Sequence, residues 1–295
     1  MSERFRVPPF EKLVKFYRVL AAIAVLVIIY LASAKLIKNP VAKVDLEVYL
    51  HAANLLLAGN NPYLTSIPAG VYYYLYPPLF AFLFIPFTFI PINAVVVLWC
   101  VLNVLLIGWI IKTFYELASG TPFFEVPVKT RWVICFFSLL PTARFIFSHL
   151  SYGQSNLVML ALALLGLVYW AKQKPLAGGA AIGMSIAVKV ISLPLAVWFL
   201  AKCNLRVTLG IVAGILIGLL LPALLLGFDK NLEFLDYWVR NVVLYSDLRN
   251  TKWPLHINLS LQAQLYRYFT EAAAFEFEGK SYALTLFVLP VETLQ

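Results

Sequence analysis

DLEVYLHAANLLLAGNNPY, from Asp45 to Tyr63, followed closely by YYYLYPPLF from Tyr72 to Phe80, is the stretch that organises the rest of the chain. Its apolar positions (Leu46, Tyr49, Leu50, Ala53, Leu56, Leu57) alternate with Asp45, Glu47, His51 and Asn54 at roughly helical spacing. That pattern predicts an amphipathic helix lying along a membrane surface. Gly59 and the Asn60–Asn61–Pro62 turn stop it, and Tyr76–Pro77–Pro78 leads back into apolar sequence. An ordered polar loop between two greasy runs is where a lipid-embedded protein would do chemistry.

Outward from this loop almost everything is apolar. Of 295 residues, 62% are hydrophobic and 13% charged, whereas an ordinary globular chain is about half apolar and about a quarter charged. An excess of this size in long runs means an integral membrane protein. The formal charge of +9 reads as Lys and Arg flanking membrane spans, not as a nucleic-acid surface, because no basic cluster is interleaved with exposed aromatics. Cys100, Cys135 and Cys203 lie in or beside apolar segments, at no metal-ligand spacing, and read as small buried hydrophobes.

The runs fall in order. A basic lead with Arg4, Arg6, Lys12, Lys15 and Arg18 precedes a span from Phe16 to Ile37. Pro77–Ile90 and Ile92–Ile111 read as two further spans. Trp132–Ser148 is apolar but broken by Pro141 and Arg144, and Asn156–Trp170 is clean and followed by Lys172 and Lys174. Residues 176–201 open with small residues, which favour close helix packing in lipid, reach Lys189 and turn at Pro194. Val207–Gly227 is another span. Residues 229–280 are polar, and a last apolar run starts at Tyr282. The expectation is an all-α polytopic membrane protein with an outer loop over 38–76 and interfacial helices. It forms one transmembrane domain over 1–295, with further spans expected beyond the C-terminal end of the sequence.

If the basic lead is cytoplasmic, the Asp45 loop is outside and the Lys172–Lys174 turn inside. An odd number of crossings must separate them, but the candidates number four. One run must therefore be re-entrant, and irregular backbone at membrane depth survives only against protein or a wet cavity. The broken run 132–148 is the first suspect and the Pro-rich run 77–90 the second. The stretch 176–201 is then a hairpin whose tip carries Lys189 to the outer side, facing the Asp45 loop and the 229–280 segment.

Several residues there suit a reaction on a phosphate-linked substrate. Asp45 could act as a general base on a hydroxyl or simply cap the helix that follows it. Lys189, deep in SIAVKVISLP, is costly unless paired or wet; an anionic phosphate or snorkelling to the interface would each relieve it. Arg144 and His149 pose the same choice between phosphate contact and membrane boundary. Gln154 and Asn156 could bond a sugar hydroxyl or satisfy a helix start. His256 could meet phosphate, or be a solvated loop histidine. No phosphate-binding glycine loop, dinucleotide fingerprint, HExxH or hydrolase elbow is present.

At four places the sequence resembles glycosyltransferase family 87, membrane enzymes of the GT-C superfamily. These are Asp45, Tyr49, Ala52–Ala53 and Gly59–Asn60 through Pro62–Tyr63; the Tyr74–Leu79 string; Gly153–Gln154 with Asn156; and Ala177–Gly178–Gly179 through Ile182–Gly183 and Lys189 to Pro194. The resemblance runs from about residue 40 to about residue 260. It implies a GT-C-like helical bundle and a polyprenyl-phosphate sugar donor, typically polyprenyl-phosphate mannose. It also implies a catalytic carboxylate at Asp45 and a donor phosphate near Lys189, with His256 as a polar outer-loop contact; Arg144 is a further phosphate candidate from its charge alone. Glu47, Tyr49, Tyr76, Gln154, Asn156 and Asn258 are then candidate sugar or acceptor contacts. The acceptor would be a glycolipid or glycan, and transfer would proceed with inversion on the outer face of a plasma-membrane protein. No metal ligand set stands out and no cofactor is implied, although a divalent ion stays open. Two other classes compete. A transporter or flippase would share the broken helices and membrane lysine, but no internal repeat is visible. A truncated, inactive relative would keep the fold without the activity.

Overall fold

The computed structural model describes residues 10–38, 44–67, 73–244, 261–277 and 280–289. The chain divides into two compact units, one reaching Leu235 and the other starting at Asp236.

The first unit is a helical bundle. Helix α1 (Phe10–Lys38) carries exposed apolar side chains from Val19 to Leu31. The amphipathic α2 (Val44–Leu57) follows, then the short α3 (Pro78–Phe84), continued by a 3-10 turn over Ile85–Phe89. Next come α4 (Ile92–Ser119), α5 (Val128–Tyr152), α6 (Asn156–Ala171), α7 (Pro175–Val188), α8 (Leu193–Ala201), α9 (Leu205–Leu220), the one-turn α10 (Ala223–Leu226) and α11 (Phe228–Trp238). Three described stretches are long and apolar enough to cross a bilayer: Ile92–Ser119, Val128–Tyr152 and Leu205–Leu226.

The tightest packing is α7 on α9. A Cβ on Gly179 would strike the Val207 carbonyl oxygen, one on Gly183 that of Ile211, and one on Gly214 that of Ala180. Backbones meet without side chains between them, as small residues permit in lipid. Ile182, Ile186, Phe199, Val207 and Ile211 form the buried core around this seam.

Ring contacts orient the hairpin. Trp170, at the end of α6, lies 5.3 Å from Phe199 at the end of α8. The turns carrying Lys172–Lys174 and Lys202–Arg206 therefore share one end of the bundle, here the basic end. Lys189, between α7 and α8, reaches Asn156 at the start of α6, so it sits at the opposite end. Residues 176–201 thus form the hairpin read from the sequence, with Lys189 at its tip.

The re-entrant element is not the first suspect. Helix α5 runs unbroken through Pro141 and Arg144. Proline removes one backbone hydrogen bond, and the neighbouring Thr142 hydroxyl donates to the carbonyls of Ser138 (2.7 Å) and Leu139 (3.3 Å). The run over 77–90, read as a span, is the one that does not cross. It starts beside Lys189, through Tyr76, and its far end at Phe87, Thr88 and Ile90 lines a cleft with Glu47 and His51 of α2. Pro77 and Pro78 open it, and Pro86 and Pro91 keep it from continuing as one helix. The 16-residue α6 runs from the Asn156 end to the Lys172 end of the bundle; counted as a crossing with α4 and α5, it would make the number odd.

The second unit holds a turn of π-helix over Val239–Leu244, the amphipathic α12 (Leu261–Phe269) and an antiparallel hairpin of β1 (Ala273–Phe277) and β2 (Lys280–Ala283). Tyr282, read as the start of an apolar run, pairs with Phe275 in that hairpin.

Candidate active site

Four chain breaks supply the site. Asp45 is the second residue of α2. The left-handed Gly153 ends α5, and the next three residues, Gln154, Ser155 and Asn156, open α6. Lys189 leaves α7 with extended backbone, φ −157°, at the hairpin tip. Tyr76 stands just before the Pro77 that caps α3. Each break frees backbone and side-chain polar groups at one end of an otherwise apolar bundle.

Two amides stand between the charges. Lys189 Nζ donates to Asn156 Oδ1 at 2.7 Å. Asn156 Nδ2 donates to Gln154 Oε1 at 2.9 Å, which leaves the Gln154 amide nitrogen free to favour the charged form of the neighbouring Asp45 carboxyl. Lys189 also lies 3.4 Å from the Tyr76 hydroxyl and 5.0 Å from its ring centroid. That gives the cation a π-face and a hydroxyl in place of water.

Burial pushes the Asp45 carboxyl above its ordinary value, while the Lys189 charge and the Gln154 hydrogen bond pull it back part of the way. Behind it, the buried Tyr49 hydroxyl lies 3.3 Å from Tyr76 and 3.5 Å from Ser155 Oγ. Burial raises the Tyr49 phenol well above its usual range, so it stays protonated.

A second polar set, partly passed over in the sequence, braces this one. His149 Nε2 is 2.9 Å from Asn103 Oδ1, and both side chains are buried. Asn103 Nδ2 donates to the Trp99 carbonyl, and Trp99 Nε1 donates to the Gly153 carbonyl at 3.0 Å. These bonds fix the turn that aims Gln154 at Asp45. A Cβ on Gly153 would come within 3.1 Å of the Leu46 Cβ, so α2 rests directly on the turn. The available signal was Asn103 itself, an amide within a long apolar helix.

The remaining sequence candidates separate. Arg144 is exposed on α5 and points about 140° around the helix from His149. It does not join the Lys189 group. His256 and Asn258 lie outside the described residues. Glu47 lies across α2 from Asp45, facing with Leu50, His51 and Asn54 a surface cleft of about 630 Å³. Among the described residues, no group of three or more His, Cys, Asp or Glu side chains comes together.

The family model for glycosyltransferase family 87 matches residues 74–291, well over half of the chain. The chain belongs to that family and is a membrane glycosyltransferase. The matched segment contains Tyr76, Gln154, Asn156 and Lys189; Asp45 precedes it and joins them through the fold. No curated protein and no solved structure matched the chain.

Proposed function

We propose that this glycosyltransferase family 87 protein moves a hexose, with mannose the first choice, from a polyprenyl-phosphate donor to an acceptor hydroxyl, with inversion, on the outer face of the plasma membrane. One observation carries the reading: a half-buried carboxylate and a half-buried cation, from segments 144 positions apart, come close enough to feel each other's charge, with two amides between them. The basic turns at the opposite end favour a cytoplasmic placement there, which puts Asp45 outside.

In the proposed reaction Asp45 accepts the proton of the acceptor hydroxyl as its oxygen attacks the anomeric carbon. The bond from that carbon to the phosphate oxygen breaks on the opposite face of the ring, and the polyprenyl phosphate leaves as a monoester anion. Lys189, held by Asn156 and Tyr76, meets the charge growing on that oxygen. Gln154 keeps the Asp45 carboxylate oriented. Tyr76 and Asn156 border the sugar, and the apolar helix faces accommodate the isoprenoid chain.

The test uses membranes containing the protein and radiolabelled polyprenyl-phosphate mannose. Asp45→Asn is expected to lower transfer by about 10²–10⁴-fold, the usual contribution of a general base, with expression and donor binding retained. Lys189→Met is expected to raise the donor KM by about tenfold, as loss of a charge-assisted phosphate contact does. Undiminished transfer by Asp45→Asn would remove Asp45 from the mechanism.

A further inference from the structure

Helix α5 is the least covered of the three described spans: 11% of its most apolar stretch is buried, against 33% in α4. Between these two helices runs an apolar cavity of about 520 Å³, walled by Ile107, Ile111 and Phe114 of α4 and by Ile134, Ser138 and Thr142 of α5. The Thr142 hydroxyl is taken up by helix carbonyls, so the lining offers little to water. Walls with nothing against them forfeit their dispersion contacts, and in a bilayer an alkyl chain restores them. Toward the basic end the same face of α5 borders a smaller cavity of about 180 Å³, lined by Phe123, Arg131, Trp132 and Cys135. Arg131, Cys135, Ser138 and Thr142 follow one another at i, i+4, i+7 and i+11, a single stripe of a helix. The Tyr115 ring in the wall of the larger cavity is 5.7 Å from the Phe123 ring in the wall of the smaller. Arg131 carries the polar signal. Its Nε is buried and has no hydrogen-bond partner among the described residues, and its guanidinium carbon lies 5.9 Å from the Phe124 ring centre. The nearby Glu116 is already engaged, by Lys112 at 2.6 Å and by the Phe123 N–H at 2.9 Å. A buried guanidinium N–H without an acceptor is costly. Phe124 and Trp132 are exposed, as aromatic side chains are at a membrane–water boundary.

We propose that the α4–α5 groove is a binding site for an anionic phospholipid of the leaflet at the basic end, its phosphate on Arg131 and one acyl chain along the stripe to Thr142. From Arg131 to Thr142 the helix rises about 16 Å, about half of a hydrocarbon core of ~30 Å, the depth that one leaflet's chains reach. The exposed Lys129 beside Arg131 adds a second positive charge, which favours an anionic headgroup over a zwitterionic one. The Asp45–Lys189 group lies at the opposite end of the bundle, so this lipid is not the sugar donor. It completes the packing of the span that protein covers least.

The experiment is native mass spectrometry of the full chain released from detergent, titrated with phosphatidylglycerol or with phosphatidylcholine of the same chains. The wild type is expected to hold phosphatidylglycerol about tenfold more tightly than phosphatidylcholine, and Arg131→Gln to erase that preference, the scale of one hydrogen bond to a charged group. Ser138→Phe fills the groove from a half-exposed position and is expected to lose both lipids alike. Lys202→Gln, which removes an exposed charge in the α8–α9 turn, should keep the wild-type pattern. A second measurement needs no mass spectrometer: phosphatidylglycerol should raise the melting temperature of the wild type and of Lys202→Gln, as a ligand of the folded state does, and leave that of Arg131→Gln where it was. A preference that survives in Arg131→Gln, that falls equally in Lys202→Gln, or lipid retention unchanged in Ser138→Phe overturns the site. Glycerol phosphate that competes as well as phosphatidylglycerol would make it a free-anion site without the groove, and overturns it too. So does a wild-type dimer that Ser138→Phe dissociates, which would give the groove to a second copy of the chain.

Discussion

A half-buried carboxylate holds a proton more readily than a solvated one, and for the general-base role proposed for Asp45 that effect has a measurable sign. Burial favours the neutral acid, so the acid limb of kcat/KM, which reports the free enzyme, is expected above the ordinary carboxylate range. Gln154 and Lys189 favour the charged form. Gln154→Leu is therefore expected to move the limb further up while leaving the donor KM nearly unchanged, as a pH profile of initial rates would read. A limb that stays put would detach Gln154 from Asp45. The same shift acts on folding. With the folded pKa raised, the stabilisation is complete below the unfolded-state pKa and is lost as pH rises through the folded value. Asp45→Asn is accordingly expected to melt higher than the wild type at neutral pH and to converge with it in acid. Asp45, Gln154, Asn156 and Lys189 were legible in the sequence because each is polar at a break between apolar runs. Trp99 and the Asn103–His149 pair were not, because their meeting depends on which faces of α4 and α5 touch, and the apolar pattern of those helices leaves that open.

At the level of elements, proline has two different meanings in this chain. Inside α5, Pro141 costs the one backbone bond that its N–H would have made to the Phe137 carbonyl, and the helix continues through it, with the Thr142 hydroxyl bonded to the next carbonyl, Ser138. Around α3, prolines 77, 78, 86 and 91 sit at starts and stops, and the segment turns back. Hydropathy alone ranks both runs as spans; one proline inside a 25-residue helix and several at element starts are what separate them. Glycine has a clearer voice. The small residues that open 176–201 read as a close-packing face, and in the structure Gly179 and Gly183 of α7 meet Gly210 and Gly214 of α9 backbone to backbone. Gly183→Ala is expected to destabilise the bundle by about 1–3 kcal/mol, the usual cost of overpacking, seen as a lower melting temperature in detergent. Because α7 aims Lys189, the donor KM should rise in step. Gly108, inside α4, whose Cβ would meet nothing within 4 Å, is the control: Gly108→Ala should not lower the melting temperature, since alanine is the better helix former, and should leave the donor KM unchanged. Equal effects at the two glycines would mean that the α7–α9 seam does not set the position of the cation.

For the whole molecule, one end of the bundle is polar and irregular and the other is basic and made of tight turns. The Asp45 loop, the Gly153 turn and the Lys189 tip lie at the first end. The Lys172–Lys174 turn, the Lys202–Arg206 turn and the start of α5 with Lys129 and Arg131 lie at the second. The positive-inside rule sets orientation by such short basic turns. The native cysteines make this testable. Cys203 is exposed in the turn between α8 and α9, whereas Cys100 is buried and Cys135 half-buried. In sealed vesicles a membrane-impermeant maleimide is expected to label Cys203 only when the cytoplasmic face is outward. In a Cys203→Ser background, Asn60→Cys, at an exposed position after α2, should show the opposite sidedness. Labelling of both from the same side would put Asp45 and the basic turns across no membrane from each other, and the outer-face reaction would lose its geometry. Labelling from opposite sides would place the polar breaks that gather Asp45 and Lys189 on the non-cytoplasmic face, the face from which the proposed lipid-linked donor and its acceptor would both arrive.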